Sequence, residues 1–511
     1  MVSSLLKVLS SGIQNERLYT SLTLLPFIKV WYKVSRFTTQ WTRIEFNSEP
    51  DFGKTVYAQI PRKGHIVTRL FLVSTLPDIK TPQMNAIAAG NINASELRPH
   101  FGWTNSTGHA LCEGVTLDIG GTRMEQLDSR LLEILDEFNT PIEKVSVVNR
   151  LIKRLDQGYD DTLIGGVNDP VTNVRVVVPL PFWFARGDAA CALPIDAILT
   201  DEVRVGITFR ALQGMYYTAS RILENTSTDQ GTSLWPLQSS LFYKTGGSTI
   251  IPGLVPGPGP VELIDGVQMP ARFSLGDTYL LAEYAYLDQP EANRLRIADI
   301  QVPIVQHYAL DPHATNGISR AIIDLNIPNP TRDLFWIVQR KEAPAYNAHF
   351  LATRDMSNPV TLPIQQVWWP DAHGLNTKFP EYLTPGFVNS NSEPIKGLAI
   401  VYNGSLVRVR TEDASLFRTV LPTTEQKKTP WVNGFYYNFP FGIQNGKTAF
   451  SKPRGEANLD KIQKREMYME FRPFAGCTDP NAVPSYNVYV WAETYNILRI
   501  YAGRAAMLFA Y

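Results

Sequence analysis

Residues able to do chemistry are scattered along this chain of 511 residues. The seven histidines, at 65, 100, 109, 307, 313, 349 and 373, form no His-Glu-x-x-His motif, which removes the two-histidine zinc helix of a metalloprotease. His100, His109 and Cys112 come nearest to a ligand spacing, but they lie in or beside a loop and no clear fourth ligand accompanies them. Asp160 and Asp161 follow Gly158 in LDQGYDD, where turn chemistry accounts for them better than a glycosidase acid and base. No Gly-x-Ser-x-Gly elbow occurs, and the Pro-Gly run at 252–260 is not a phosphate loop. No catalytic, cofactor-binding or metal-binding residue is therefore expected. Sequons occur at Asn93, Asn105, Asn225 and Asn403. Asn403 falls in an expected tight hairpin, which leaves Asn93, Asn105 and Asn225 as the candidate glycosylation sites, open only where the chain meets a glycosylating enzyme.

Charge excludes further classes. Lys and Arg number 48 and Asp and Glu also 48, so no global field holds nucleic acid or an anionic membrane. Lys427 and Lys428, and Lys461, Lys464 and Arg465, are interleaved with acids and read as solvated faces rather than nucleic-acid contacts. The three cysteines, 112, 191 and 477, are few, odd in number and far apart, which argues against a disulfide framework and fits a reducing compartment. Residues 1–30 open with MVSSLLKVLSSGI, far below the ~18 apolar residues of a membrane span. As a helix, this stretch aligns Leu5, Val8 and Leu9 on one side, for packing on its own or a neighbouring subunit, with membrane contact as the alternative.

The elements themselves read as strands. Val203, Val205, Ile207 and Phe209 alternate with Glu202, Arg204, Gly206 and Thr208, the period of a half-buried strand. Val176 to Val178 form a second run, ended by Pro179 and Pro181. Phe182, Trp183 and Phe184 then supply aromatic bulk for a sandwich core. Two strand-like runs flank a turn at Arg62 to Gly64. Val115, Leu117 and Ile119 alternate before a Gly120-Gly121 turn, after which Met124, Leu127, Leu131, Ile134 and Phe138 predict a helix ended by Asn139 to Pro141. In the second half, LAIVY, the Asn403-Gly404 turn, Val407 and Val409, and a helix repeat that order. Stretches 81–108 and 211–276 read as long surface loops. The length suits two large β domains.

Several strings resemble one family, the major capsid proteins of nucleocytoplasmic large DNA viruses. They are PLPFWFARGDAACALPIDAILTDEVRVGITF, the opening Gly12, Gln14 and FIKVWY at 27–32, and the Tyr284, Tyr286, Leu287, Asp288 motif. DLFWIVQR at 333–340 and a closing pair through Tyr495, Asn496, Leu498, Arg499 and Gly503 add to them. FSKPRGEANLD at 450–460 departs from the family pattern. The resemblance implies an all-β chain of two tandem antiparallel eight-stranded jelly rolls (a double jelly roll), with short helices and long loops. The expected division is a segment 1–30, a first jelly roll 31–290 and a second 291–511, with 252–260 as the alternative boundary. It further implies a non-enzymatic structural protein of the virion, a homotrimer of pseudo-hexameric outline tiling an icosahedral capsid assembled in the host cytoplasm. Partners would be neighbouring capsomers, minor capsid and penton proteins and the internal membrane, with no specific nucleic acid. Because a fold does not fix a function, a carbohydrate-binding or glycan-hydrolysing double sandwich and a transient membrane-shaping scaffold stand as alternatives.

Overall fold

In the first half of the chain, alternation of apolar and polar residues becomes strands β1 (Phe37–Ile44), β2 (Thr55–Gln59), β3 (Ile66–Leu76), β4 (Cys112–Ile119), β5 (Thr122–Asp128), β6 (Val174–Pro179), β7 (Val203–Phe209) and β8 (Tyr279–Leu287). The second half supplies β9 (Ile300–Ala309), β10 (Arg320–Asp324), β11 (Pro330–Arg340), β12 (Ile395–Tyr402), β13 (Leu406–Thr411), β14 (Tyr436–Pro440), β15 (Arg465–Phe471) and β16 (Tyr486–Tyr501). The computed structural model describes residues 36–77, 100–104, 106–154, 174–186, 189–222, 233–237, 274–341, 349–350, 393–430, 435–443, 454–472, 483 and 485–509. The segment 1–30, the strand expected over 27–34, Asp160, Asp161, 252–260, Cys477 and the sequons Asn93, Asn105 and Asn225 lie outside them.

Hydrogen bonding orders the first eight strands as β1-β8-β3-β6 and β2-β7-β4-β5, and the second eight as β9-β16-β11-β14 and β10-β15-β12-β13. Every one of these pairings is antiparallel. This is the jelly-roll order, made twice. The runs either side of Gly64 do not pair with each other; β2 and β3 go to opposite sheets, so the chain there crosses the sandwich rather than forming a hairpin. The helix α1 (Gln289–Ile297) joins the two sets of strands, with Asp288 capping it by accepting from Gln289 N at 2.9 Å.

The two halves share even their irregularities. In the β4–β5 ladder the register slips by one at Met124, and in β12–β13 it slips at Arg408. In β8–β3 the extra residue is Thr68, and in β16–β11 it is Arg332. Bulges twist and re-aim a strand, so the same bulge at the same place gives both sandwiches the same curvature.

Registers place apolar residues in rows. Val56, Ile207, Val115 and Leu127 stand side by side across one sheet, and all are buried. Phe182, Trp183 and Phe184 close that core, with Phe182 and Phe184 stacked at 5.7 Å. In the second core Trp336 stacks on Tyr437 at 5.6 Å and meets the edge of Phe417 at 5.3 Å. Asn403 and Gly404 take φ of 51° and 75° at the β12–β13 turn, the paired positive angles that favour these two residues in a tight hairpin.

Two expectations change. Met124 and Leu127 lie on β5 rather than on a helix, because the chain reverses at Gly120-Gly121 and this seven-residue strand pairs back on β4. The helix α2 (Ser129–Asn139) begins only after Asp128, whose carboxylate accepts from Leu131 N at 2.7 Å and so caps it. Nor are the stretches 81–108 and 211–276 wholly loop. His100–Trp103, Tyr216–Ile222 and Ser233–Leu237 form a three-stranded sheet, and Trp103, Thr104 and residues 106–108 are buried. Replacing Trp336 by Ala is expected to lower stability by about 3–5 kcal/mol, read as a fall in the urea midpoint, with Trp336→Phe losing less.

Candidate functional site: the seam between the two sandwiches

The outer face of the β9-β16-β11 sheet does not meet water; it packs against β5 and α2 of the first sandwich. Phe138 from α2 lies 5.7 Å from Phe335 on β11, and Arg130 sits 4.3 Å over the ring of Tyr489 on β16. Trp491 Nε1 donates to Asp128 at 3.2 Å, Arg130 donates to Gln339 at 2.9 Å, and Gln306 Nε2 donates to the Met124 carbonyl at 2.6 Å. Asp128 therefore caps its own helix and ties it to the neighbouring sheet; burial pushes its carboxyl up, against the pull of the Leu131 amide and Arg130.

A buried charge chain runs along the seam. His307 Nδ1 is 2.6 Å from Glu125, and Arg186 Nη2 is 2.6 Å from His307 Nε2. Because guanidinium only donates, Nε2 accepts and Nδ1 carries the proton given to Glu125. Arg186 also pairs with Glu493, which has Arg332 at 3.6 Å on its other side. Burial alone would raise the Glu493 carboxyl, but the Arg186 and Arg332 charges hold it well below the usual range. Arg332 reaches Asp333 at 3.6 Å, and Asp333 accepts from Lys427 at 2.8 Å.

A second cluster fixes the helical end of the seam. Glu133 accepts from Ser106 and from Arg154 Nε at 2.9 Å each, and lies 2.7 Å from His109. Arg154 also pairs with Asp136 and, at 3.2 Å, with Glu137, which takes Lys428 from the second sandwich at 3.2 Å. Burial raises Glu133, yet Arg154 and His109 outweigh it and bring the carboxyl down to about 2. His349, buried beside Arg210 and Arg130 with Nε2 on the Gly214 carbonyl at 2.7 Å, is pushed down to about 3 by burial and by those cations.

This chemistry is adhesive. Glu133 and Glu493, held ionised, have no proton to give as general acids at neutral pH. Of the three residues with a ligand-like spacing, His109 is bound to Glu133, and Cys112 is a buried thiol pushed up to about 12 by burial. Among the described residues no group of three or more His, Cys, Asp or Glu could hold a metal. Asn403 is engaged with Lys464, whose amide donates to its side chain at 3.3 Å.

Lys427 and Lys428 correct the reading of a solvated face, being 8% exposed for the first residue and 10% for the second side chain. Asp333 and Glu137, distant in sequence, draw them into the seam. Lys461 and Lys464 are exposed, as read. Sequence reasoning missed the seam itself, whose signal was a set of charged residues, Glu125, Arg186, Arg332 and Glu493, inside or beside apolar strands.

Residues 26–239 match the family model described as major capsid protein N-terminus, and residues 297–506 match that of the large eukaryotic DNA virus major capsid protein. Over the full length of both chains the sequence is 25% identical to the major capsid protein of Pyramimonas orientalis virus. It is 20% identical over 98% of each chain to probable capsid protein 4 of Acanthamoeba polyphaga mimivirus. Among solved structures, the PBCV-1 VP54 crystal structure fitted into a reconstruction of the virophage Sputnik is similar with a TM-score of 0.64. That match has 18% identity and covers 95% of this chain and 100% of that one. The Faustovirus major capsid protein follows at 0.60 with 10% identity, covering 96% and 94%. These neighbours are capsid proteins rather than enzymes. With jelly-roll sheet order in both halves and two family models spanning most of its length, the chain belongs to the major capsid proteins of large eukaryotic DNA viruses, the double jelly-roll family.

Proposed function

We propose that three copies of this chain form a pseudo-hexameric capsomer that tiles an icosahedral shell beside like capsomers, with minor capsid and penton proteins at special positions. The observation that carries this reading is the repeated sheet order, including matching bulges, in two sandwiches locked side by side. A threefold axis acting on such a pair gives six similar sandwiches, and so nearly equal edges toward six neighbours. A division near residue 290, with α1 as connector, supports the same picture, as do the buried ion pairs that join the two halves. Assembly in the host cytoplasm, contact of residues 1–30 with an internal membrane and glycans at Asn93, Asn105 or Asn225 belong to this proposal and rest on the family alone. No helix among the described residues is long and apolar enough to cross a membrane.

Light scattering of the purified chain tests the trimer. A species near 172 kDa, three times 57.4 kDa, that persists in high salt is expected of an apolar obligate interface, whereas a 57.4 kDa monomer at micromolar concentration would sink it. Acid is expected to loosen each subunit. Glu133 is held at about 2 against an ordinary 4.5, so its stabilisation is complete above pH 4.5 and is lost as pH falls toward 2, roughly 3 kcal/mol in all. His349, at about 3 against 6.5, favours folding above pH 6.5 and loses that contribution between 6.5 and 3. Urea midpoints measured from pH 7 to 3 should therefore decline, and His349→Gln should flatten the decline above pH 4.5. An unchanged slope in that variant would refute the assignment.

A further inference from the structure

The matching bulges let the two sandwiches be laid on one another residue by residue. Glu283 on β8 faces Arg69 just before the Thr68 bulge, as Glu493 on β16 faces Asp333 just before the Arg332 bulge. On the other side Glu283 faces Trp41 and Glu493 faces His307. Trp41 thus takes the place of His307, Phe71 that of Phe335 and Leu281 that of Trp491. Likewise Leu117 faces Glu125 before the Met124 bulge and Ile400 faces Val409 before the Arg408 bulge, so Val409 takes the place of Glu125. Three residues further on, Glu412 takes the place of Asp128.

The equivalent faces differ in cover. In the second sandwich His307, Phe335 and Trp491 are buried by β5 and α2. In the first, Trp41 is 44% exposed and Phe71 half-buried. The covering element likewise has an unused twin. On β13 and the helical turns after it, Leu416–Val420 and Leu421–Thr424, Val409 is half-buried and Val420 is 50% exposed. Within one chain these two surfaces do not cover one another, because Trp41 and Val420 both stay exposed. The seam uses instead the β5 side of the first sandwich and the β9-β16-β11 face of the second.

We infer that the β1-β8-β3 face around Trp41 and Phe71 receives the β13 edge of a second copy, in the arrangement that the seam already shows inside one chain. This rests on the trimer reading and names its contact. The pair His307–Glu125, polar on both sides of the seam, becomes Trp41 and Val409, apolar on both sides. Such a joint change is what one contact demands, since a carboxylate left against Trp41 would be buried unpaired. The contact is head-to-tail, and a head-to-tail contact closes into a ring when its rotation permits.

The test is cross-linking of the full chain in a Cys477→Ser background, Cys112 and Cys191 being buried. Trp41→Cys combined with Val409→Cys, treated with a short bis-maleimide, should give two-chain and three-chain species up to 172 kDa, three times 57.4 kDa. Either single variant should stay one chain wide. Independently, Trp41→Glu should weaken trimer association at least tenfold in light scattering while its circular dichroism stays that of the parent. A parent that is trimeric, yet neither cross-links through this pair nor weakens with Trp41→Glu, overturns the contact and leaves the trimer standing. A parent that is monomeric overturns both.

Discussion

Glu493 is a carboxylate removed from water at the joint of two sandwiches, with Arg186 of one and Arg332 of the other on either side of it. An ion pair in this position contributes little net energy, because desolvation consumes most of the attraction, but removing one partner leaves a buried charge at a cost of about 3–5 kcal/mol. Its consequence is geometric. Only one placement of the sandwiches pairs Glu493 with Arg186 and His307 with Glu125, while apolar contacts such as Phe138 on Phe335 would tolerate sliding. For a capsid protein, that specificity matters more than the energy.

The repeated plan serves the same end. Two jelly rolls with the same sheet order and the same bulges have nearly the same outline, yet their equivalent positions carry different residues. Where the second sandwich has His307 and Phe335 under cover, the first has Trp41 and Phe71. Shape is thus set by backbone bulges, which both halves keep, and partner choice by side chains, which they do not share. One chain can present similar edges without confusing its internal joint with an external one.

Burial in these networks also removes reactivity. Cys112 is kept a thiol by burial, Glu133 a carboxylate by Arg154, and His349 is kept neutral by burial and by Arg210. Groups that in a cleft would suggest catalysis here have their demands met by fixed neighbours. The relatives being shell proteins, this is the chemistry of a rigid subunit.

Much of the fold was legible because it is written locally. The alternation Val203, Val205, Ile207, Phe209, the prolines after Val178 and the Asn403-Gly404 turn each act over a few residues, and each became the strand, strand end or hairpin that it implied. Met124 and Leu127 were misread because a strand bulge and a helix can place apolar residues at similar spacing, and only the pairing with β4 decides between them. Lys427 and Lys428 were misread because their counter-charges lie far away along the chain. Local periodicity therefore determined the all-β, twice-repeated architecture, and the capsid family followed from strings on those strands. The joint was decided by tertiary structure alone: Arg186 meets a carboxylate 307 positions away, and His307 one 182 positions away. No pattern in neighbouring residues encodes a partner that only folding brings within 3 Å.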